Sequence, residues 1–196
     1  MTSRSVAQIK QIRQSPEFVR SIHYSCESWY TVKDRPVAIS CISVGTFTDR
    51  GVFSFSQSDF KERSEEVLLE KFYEHIRSIP DAIFVHWNMN SSDFGFEAIN
   101  NRWRFLTGKE PPYRIPVDRV VDLDELLGDT FGSGYIDHPK FSSILLLNSF
   151  TKRFILTGKE ESEKFTAGDH GDIKRSTTEK ALGEQPHEDR GAAGCF

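Results

Sequence analysis

The sequence has few cysteines, no long hydrophobic run and no large excess of charge of either sign. Its three cysteines, Cys26, Cys41 and Cys195, are too few and too scattered for a disulfide framework or a zinc site. The longest apolar cluster, residues 144–147, is far shorter than the roughly 18–20 residues of a membrane span. The first 14 residues contain no hydrophobic signal region. These absences predict a reduced, cytoplasmic protein without membrane contact.

The charge balance argues against a protein whose main role is to coat nucleic acid. The chain carries 25 Lys and Arg against 29 Asp and Glu, which gives a formal net charge of −4. A strong nucleic-acid binder normally carries a basic patch or stripe, so only a local patch is compatible with this composition. The basic residues Arg102, Arg104 and Lys109 are candidates for such a nucleic-acid-binding edge, or they form an ordinary solvated helix face.

The length of 196 residues suits one domain of ordinary size with extensions. The pattern of apolar residues predicts a helical N-terminal lead over 1–19 and a main domain over 20–158. A helical extension over 159–182 and a disordered tail over 183–196 are expected to follow, because apolar residues become scarce there.

The main domain changes its hydrophobic periodicity once. Alternating apolar residues predict strands over 20–27, 36–47 and from 52 onward, whereas helical and strand patterns alternate after residue 59. This order predicts an α/β fold with a mixed sheet. Its first three strands should form an antiparallel meander, followed by alternating helices and parallel strands, with helices on both faces. A further hydrophobic helix is predicted from Phe141 to Leu156.

One short segment occurs twice. Residues 104–110 are RFLTGKE and residues 153–160 are RFILTGKE. Glycine in a left-handed conformation commonly ends a helix. Each copy is therefore predicted to end a helix, at Gly108 in the first copy and at Gly158 in the second. The alternative is a duplicated functional loop.

Three segments near predicted strand ends carry polar residues in a recurring order. The first strand ends in Ser25-Cys26-Glu27-Ser28, the fourth leads into VHWNMNSSDFGF with His86, Asn88 and Asp93, and the fifth leads into VVDLDELL with Asp122. In this order the segments resemble the DEDD-type 3′–5′ exonucleases, which have the ribonuclease H-like fold. The segment from His86 to Gly108 also resembles a signature of uncharacterised bacterial proteins, which implies no activity.

The resemblance implies a particular chemistry. In that family, carboxylates hold two divalent cations about 3.5–4 Å apart, which activate a water molecule and stabilise the leaving oxygen of a phosphodiester. Mg²⁺ or Mn²⁺ suits such an oxygen-ligand site. Carried over to this sequence, the resemblance implies Glu27 and Asp93 as catalytic residues and Glu27, Asp93 and Asp172 as metal ligands.

The sequence departs from the family at the first motif, because Ser25 stands where the family has its first aspartate. A neutral serine does not replace a carboxylate that bridges two metals, so impaired catalysis is predicted. Structural roles also suit the candidate residues: Glu27 as a solvated strand-end acid, Asp93 and Asp122 as helix N-caps, and His86 as a hydrogen-bonded core histidine.

Two functions are compatible with these residues and their order. The first is an exonuclease-like protein, catalytically impaired, whose inherited role is the binding or processing of single-stranded DNA or RNA. The alternative is a non-catalytic scaffold for protein interactions, dimerising through the apolar helix predicted from Phe141 to Leu156.

Overall fold

The computed structural model describes residues 2–28, 30, 32–49, 51–62, 64–91, 94–148 and 155–183. In these ranges the strands are β1 (Val19–Cys26), β2 (Ile39–Thr46), β3 (Val52–Ser56), β4 (Ile83–His86) and β5 (Val120–Asp122). The α-helices are α1 (Ser3–Gln14), α2 (Ser64–Ser78), α3 (Phe96–Thr107), α4 (Leu123–Phe131), α5 (Lys140–Leu147), α6 (Gly158–Thr166) and α7 (His170–Gly183).

The five strands form one mixed sheet in the order β3-β2-β1-β4-β5. Strands β1, β2 and β3 pair antiparallel, whereas β4 pairs parallel with both β1 and β5. The predicted α/β class, with a meander followed by parallel strands, is confirmed. The strand order is consistent with a ribonuclease H-like fold.

Helices α2 and α3 cover one face of the sheet. Alternate residues of β1, Ile22 and Tyr24, point to this face and are buried there. The amphipathic stripe of α2 supplies the other side of the core, as the periodicity predicted. Its buried residues are Leu68, Leu69, Phe72, Tyr73 and Ile76.

Helix α7 packs against the opposite face, where the strands carry hydroxyl groups. Ser21 Oγ donates a hydrogen bond of 2.7 Å to the carbonyl oxygen of Ala181, and Ser54 Oγ lies 2.7 Å from Thr178 Oγ1. Small polar side chains let a helix approach a sheet closely while their hydroxyl groups stay hydrogen-bonded. The sheet therefore has helices on both faces, as predicted.

Two predicted helix boundaries are wrong. The predicted N-cap Asp93 lies outside the described residues, and α3 begins at Phe96 with Gly95 as its N-cap. The helix predicted to reach Leu156 ends at Leu147, where Asn148 forms its C-cap. Residues 155–157 are not helical.

The two copies of the repeated segment also differ from the prediction. Gly108 ends α3 in the left-handed conformation, with φ of 67°, as expected. Gly158 is instead the first residue of α6. The predicted disordered tail over 183–196 is outside the described residues except for Gly183, which belongs to α7. None of the helices in the described ranges has the length and apolar character needed to cross a membrane.

Candidate functional site

The ends of β1, β4 and β5 meet along one border of the sheet, which we call the carboxyl edge. Its polar residues include Ser25 near the end of β1 and Glu27 just after it, His86 at the end of β4 and Asn88 just after it, and Asp122 at the end of β5. Because parallel strands bring their carboxyl ends to the same border, this is where α/β sheets usually bind ligands. The resemblance places its metal chemistry at the same border.

Ser25 is closed off by a residue from α7. Its Oγ lies 2.9 Å from Thr177 Oγ1, and the two residues are 2% and 0% exposed. The Thr177 hydroxyl donates to the carbonyl oxygen of Ile173 at 2.8 Å, so the hydroxyl proton between the two side chains comes from Ser25. The position of the family's first aspartate thus holds a neutral, buried pair of hydroxyl groups.

Glu27 is held by an arginine and a backbone amide. Arg35 donates two parallel hydrogen bonds of 2.8 and 2.9 Å to its carboxylate, and the Ala38 amide donates a third of 3.2 Å. Partial burial acts in the opposite direction, but the bonds from Arg35 and Ala38 keep the pKa of Glu27 below its usual value. This carboxylate fastens the connection between β1 and β2.

A second ion pair fastens the same connection from α3. Arg102 donates hydrogen bonds of 2.8 and 2.7 Å to the two oxygens of Glu65, and one of 3.1 Å to the carbonyl of Pro36. Glu65 also accepts a bond from the Ile39 amide. Arg102 is buried in this pair, so a phosphate contact requires it to leave Glu65.

The other predicted basic residues lie at the end of α3. Arg104 is bonded to Glu97 at 3.0 Å and to Glu110 at 3.1 Å, whereas Lys109 is exposed just beyond the helix. Nucleic-acid binding by Arg102, Arg104 and Lys109 stays a prediction. Of the three, Lys109 has the side chain most accessible to a ligand.

Two of the predicted metal ligands, Glu27 and Asp172, are bound by cationic side chains. Lys164 Nζ lies 2.6 Å from Asp172 Oδ2, and Glu27 is bound by Arg35. Within the described ranges, His, Cys, Asp and Glu side chains form no group of three or more suited to a metal. The complete set of Glu27, Asp93 and Asp172 stays a prediction, because Asp93 lies outside those ranges.

His86 is a core histidine, as its structural interpretation predicted. The Met89 amide donates a hydrogen bond of 3.1 Å to Nδ1, which assigns the ring proton to Nε2. Burial lowers the pKa of His86 to about 4, so the ring is neutral at pH 7. Its buried Nε2 has no hydrogen-bond partner among the described residues.

Asp122 organises the loop between β4 and α3. It is the N-cap of α4, as predicted, and accepts the Asp124 amide at 2.9 Å. It also accepts the Asn88 amide at 3.3 Å and the side-chain amide of Asn90. Burial raises the pKa of Asp122. Through its hydrogen bonds from Asn88, Asn90 and Asp124, the carboxylate at the end of β5 connects the loop after β4 to the start of α4.

The same loop requires glycine at position 95. A Cβ atom there would lie 2.2 Å from the carbonyl oxygen of Met89, closer than any real contact. The Gly95 amide donates a hydrogen bond of 2.9 Å to the Tyr24 hydroxyl, which ties the loop to β1. An isolated bridge between Asn90 and Gly95 brings Asn90 next to the start of α3.

A cavity of about 360 Å³ opens beside this loop, between α2, α3 and the segment before β5. Asn90 lines it and also contacts Asp122, so the cavity adjoins the carboxyl edge. This cavity was not predicted from the sequence. The proline-rich segment PPYRIP contained the only available sequence signal for it, an aromatic and an apolar residue in a loop. Both residues, Tyr113 and Ile115, line the cavity.

No protein-family profile matches this sequence, and no curated protein is significantly similar to it. The sheet order is consistent with a ribonuclease H-like fold.

Proposed function

We propose that this protein is a ribonuclease H-like, exonuclease-like protein in which two-metal catalysis is impaired and nucleic-acid binding is the role retained. The observation that carries the proposal is the buried hydrogen bond between Ser25 and Thr177. It occupies the position at which the resemblance requires a carboxylate.

The electrostatics of the carboxyl edge favour this interpretation. Two divalent cations need several carboxylates to balance their charge. Ser25 contributes none, and the negative charge of Glu27 is already balanced by Arg35. A cation bound to Glu27 would have to displace Arg35.

Calorimetric titration with Mn²⁺ tests the catalytic part, using the wild type and Glu27→Ala with labelled single-stranded DNA and RNA incubated in parallel. We expect strand binding without strand shortening, and no saturable Mn²⁺ binding that depends on Glu27. Saturable binding that is lost in Glu27→Ala, together with shortening of the strands, would overturn the proposed impairment.

Asp93→Ala completes the test of the site. Strand shortening that persists in both Glu27→Ala and Asp93→Ala would exclude the assigned residues while leaving an active enzyme. Loss of shortening in both variants would restore them as catalytic residues.

The alternative function, an interaction scaffold, is favoured by one separate observation. On α5, Leu146 and Leu147 are 48% and 64% exposed. Sedimentation at increasing concentration, comparing the wild type with Leu147→Glu, tests dimerisation through this helix. A dimer that Leu147→Glu dissociates would favour the scaffold, and a monomer at all concentrations would exclude this dimer.

A further inference from the structure

The cavity beside the loop between β4 and α3 has aromatic and apolar walls. Four of its lining residues carry aromatic rings, and these come from α2, from α3 and from the segment before β5: Phe72, Tyr73, Phe96 and Tyr113. The other apolar lining residues are Ile76, Met89, Ile99, Ile115, Val117 and Val120. A flat, weakly hydrated ring fits such walls better than a strongly charged group does.

Several lining residues carry polar groups. Asn100 Oδ1 accepts a hydrogen bond of 2.8 Å from the Tyr73 hydroxyl, and its Nδ2 donates one of 3.0 Å to Glu97. Asn90 lies on the loop side of the same cavity. Carboxylate and amide groups of this kind form hydrogen bonds with the edges of nucleobases.

One cation lies among the lining residues. Arg114 is exposed, and a single nitrogen of its guanidinium donates to Glu110, at 2.8 Å. Guanidinium groups bind phosphate through several parallel hydrogen bonds, and four of the five N–H donors are outside this bond. The cavity therefore combines ring surfaces, base-edge partners and a phosphate partner.

We propose that this cavity binds one unpaired nucleobase of a nucleotide or single strand, with the adjoining phosphate at Arg114. The proposal rests on the proposed nucleic-acid-binding function and names its ligand. A volume of about 360 Å³ falls within the range of small-molecule sites. Every base can stack on an aromatic ring, so the site should bind unpaired bases with little preference for one sequence over another.

Glu110 connects the end of α3 to the segment that carries Tyr113 and Arg114. Its backbone carbonyl accepts a hydrogen bond of 3.1 Å from Trp103 Nε1, and its carboxylate is bonded to Arg104 and Arg114. These contacts hold the segment that carries Tyr113 against the end of α3.

Binding of adenosine 5′-monophosphate, measured by calorimetry, tests the proposal. Val117 lines the cavity and is 82% exposed, so Val117→Asp should leave the fold intact and repel the phosphate. We expect this variant to weaken binding about tenfold or more. The matched control is Val6→Asp, since Val6 is 51% exposed on α1 and does not line the cavity.

Arg114→Gln separates the phosphate contact from the base contact. It should weaken the binding of adenosine 5′-monophosphate about tenfold, because a charge-assisted hydrogen bond is lost. Binding of adenosine, which has no phosphate, should stay within about twofold of the wild type. Equal losses for both ligands would overturn the assignment of the phosphate to Arg114.

The remaining outcomes distinguish this proposal from the proposed function. If single strands bind but Val117→Asp binds them and the mononucleotide as the wild type does, the cavity is excluded and the nucleic-acid role stands. If neither single strands nor the mononucleotide bind, both proposals fail. Melting temperatures of the variants, compared with the wild type, confirm that each is folded.

Discussion

The two copies of the sequence TGKE have opposite roles in the fold. In the first copy, residues 107–110, the Thr107 hydroxyl donates to the carbonyl of Trp103 at 2.8 Å and Gly108 ends α3. In the second copy, residues 157–160, Thr157 is the N-cap of α6 and exchanges hydrogen bonds with Glu160 in a capping box. One copy therefore stops a helix and the other starts one.

The residues that follow each copy account for the difference. Pro111 follows Glu110 and disfavours the helical conformation for it, so no helix starts there. Glu161 follows Glu160, continues α6, and forms an ion pair of 2.6 Å with Lys180 on α7. A four-residue motif is thus compatible with either end of a helix, and its neighbours decide which end forms.

Replacing Glu161, which directly follows the second copy, should have the largest effect on stability. Glu161→Ala leaves Lys180 buried without its partner, and we expect it to lower the free energy of unfolding by about 3–5 kcal/mol. Pro111→Ala, at the equivalent place after the first copy, should cost under about 1 kcal/mol. Urea denaturation measures both.

A double variant distinguishes the loss of the ion pair from a general failure to fold. Glu161→Leu with Lys180→Met removes both charges and should recover much of the loss, since an unpaired buried charge is the cause. A cost below about 1 kcal/mol for Glu161→Ala would contradict the prediction that this pair anchors α6.

The two glycines should respond to alanine with opposite signs. Gly108 has φ of 67°, where an alanine is strained, so Gly108→Ala should cost about 1–2 kcal/mol. Gly158 lies in the first turn of α6 and a Cβ there meets no atom within 4 Å. Gly158→Ala should stabilise by about 0.4–1 kcal/mol. Thermal unfolding of both variants checks the signs, and equal signs would contradict the assigned conformations.

The two threonines should differ by a smaller amount. Thr157→Ala removes an N-cap, which should cost about 1 kcal/mol. Thr107 forms its bonds at the end of a helix that Gly108 already terminates, so Thr107→Ala should cost under about 0.5 kcal/mol. Chemical denaturation measures the free energy of unfolding of both variants. A larger loss for Thr107→Ala than for Thr157→Ala would contradict this prediction.

The smallest effect should be the pH dependence contributed by the two glutamates. Hydrogen bonds from Thr157 lower the pKa of Glu160, and bonds from Arg104 and Arg114 lower that of Glu110. A carboxylate whose folded pKa is depressed stabilises above its unfolded pKa, near about 4.3, and this contribution is lost as pH falls through the folded pKa.

Unfolding of Glu160→Gln and Glu110→Gln between about pH 5 and pH 3 tests this point. Each variant should lose less stability than the wild type over that window. Added salt should weaken the contribution of Glu110, which depends on exposed ion pairs, more than that of Glu160, which depends on hydrogen bonds at its own helix end. Equal salt sensitivity would contradict this difference.

Local chemistry explains which predictions from the sequence were correct. The alternation of apolar residues in β1 predicts a strand and the apolar stripe of α2 predicts a helix, because hydrophobic periodicity is a property of neighbouring residues. Asp122 as an N-cap, His86 as a core residue and Gly108 as a helix end were likewise predictable. Each depends on residues within a few positions along the chain.

The candidate site depended on contacts that no local pattern contains. Ser25 and Thr177 are 152 residues apart and meet only because α7 packs on the sheet. The cavity needs two helices and the PPYRIP segment together. The sequence by itself determined the elements and their order, whereas the tertiary structure decided which polar groups meet, because close contacts between distant residues depend on how the elements pack.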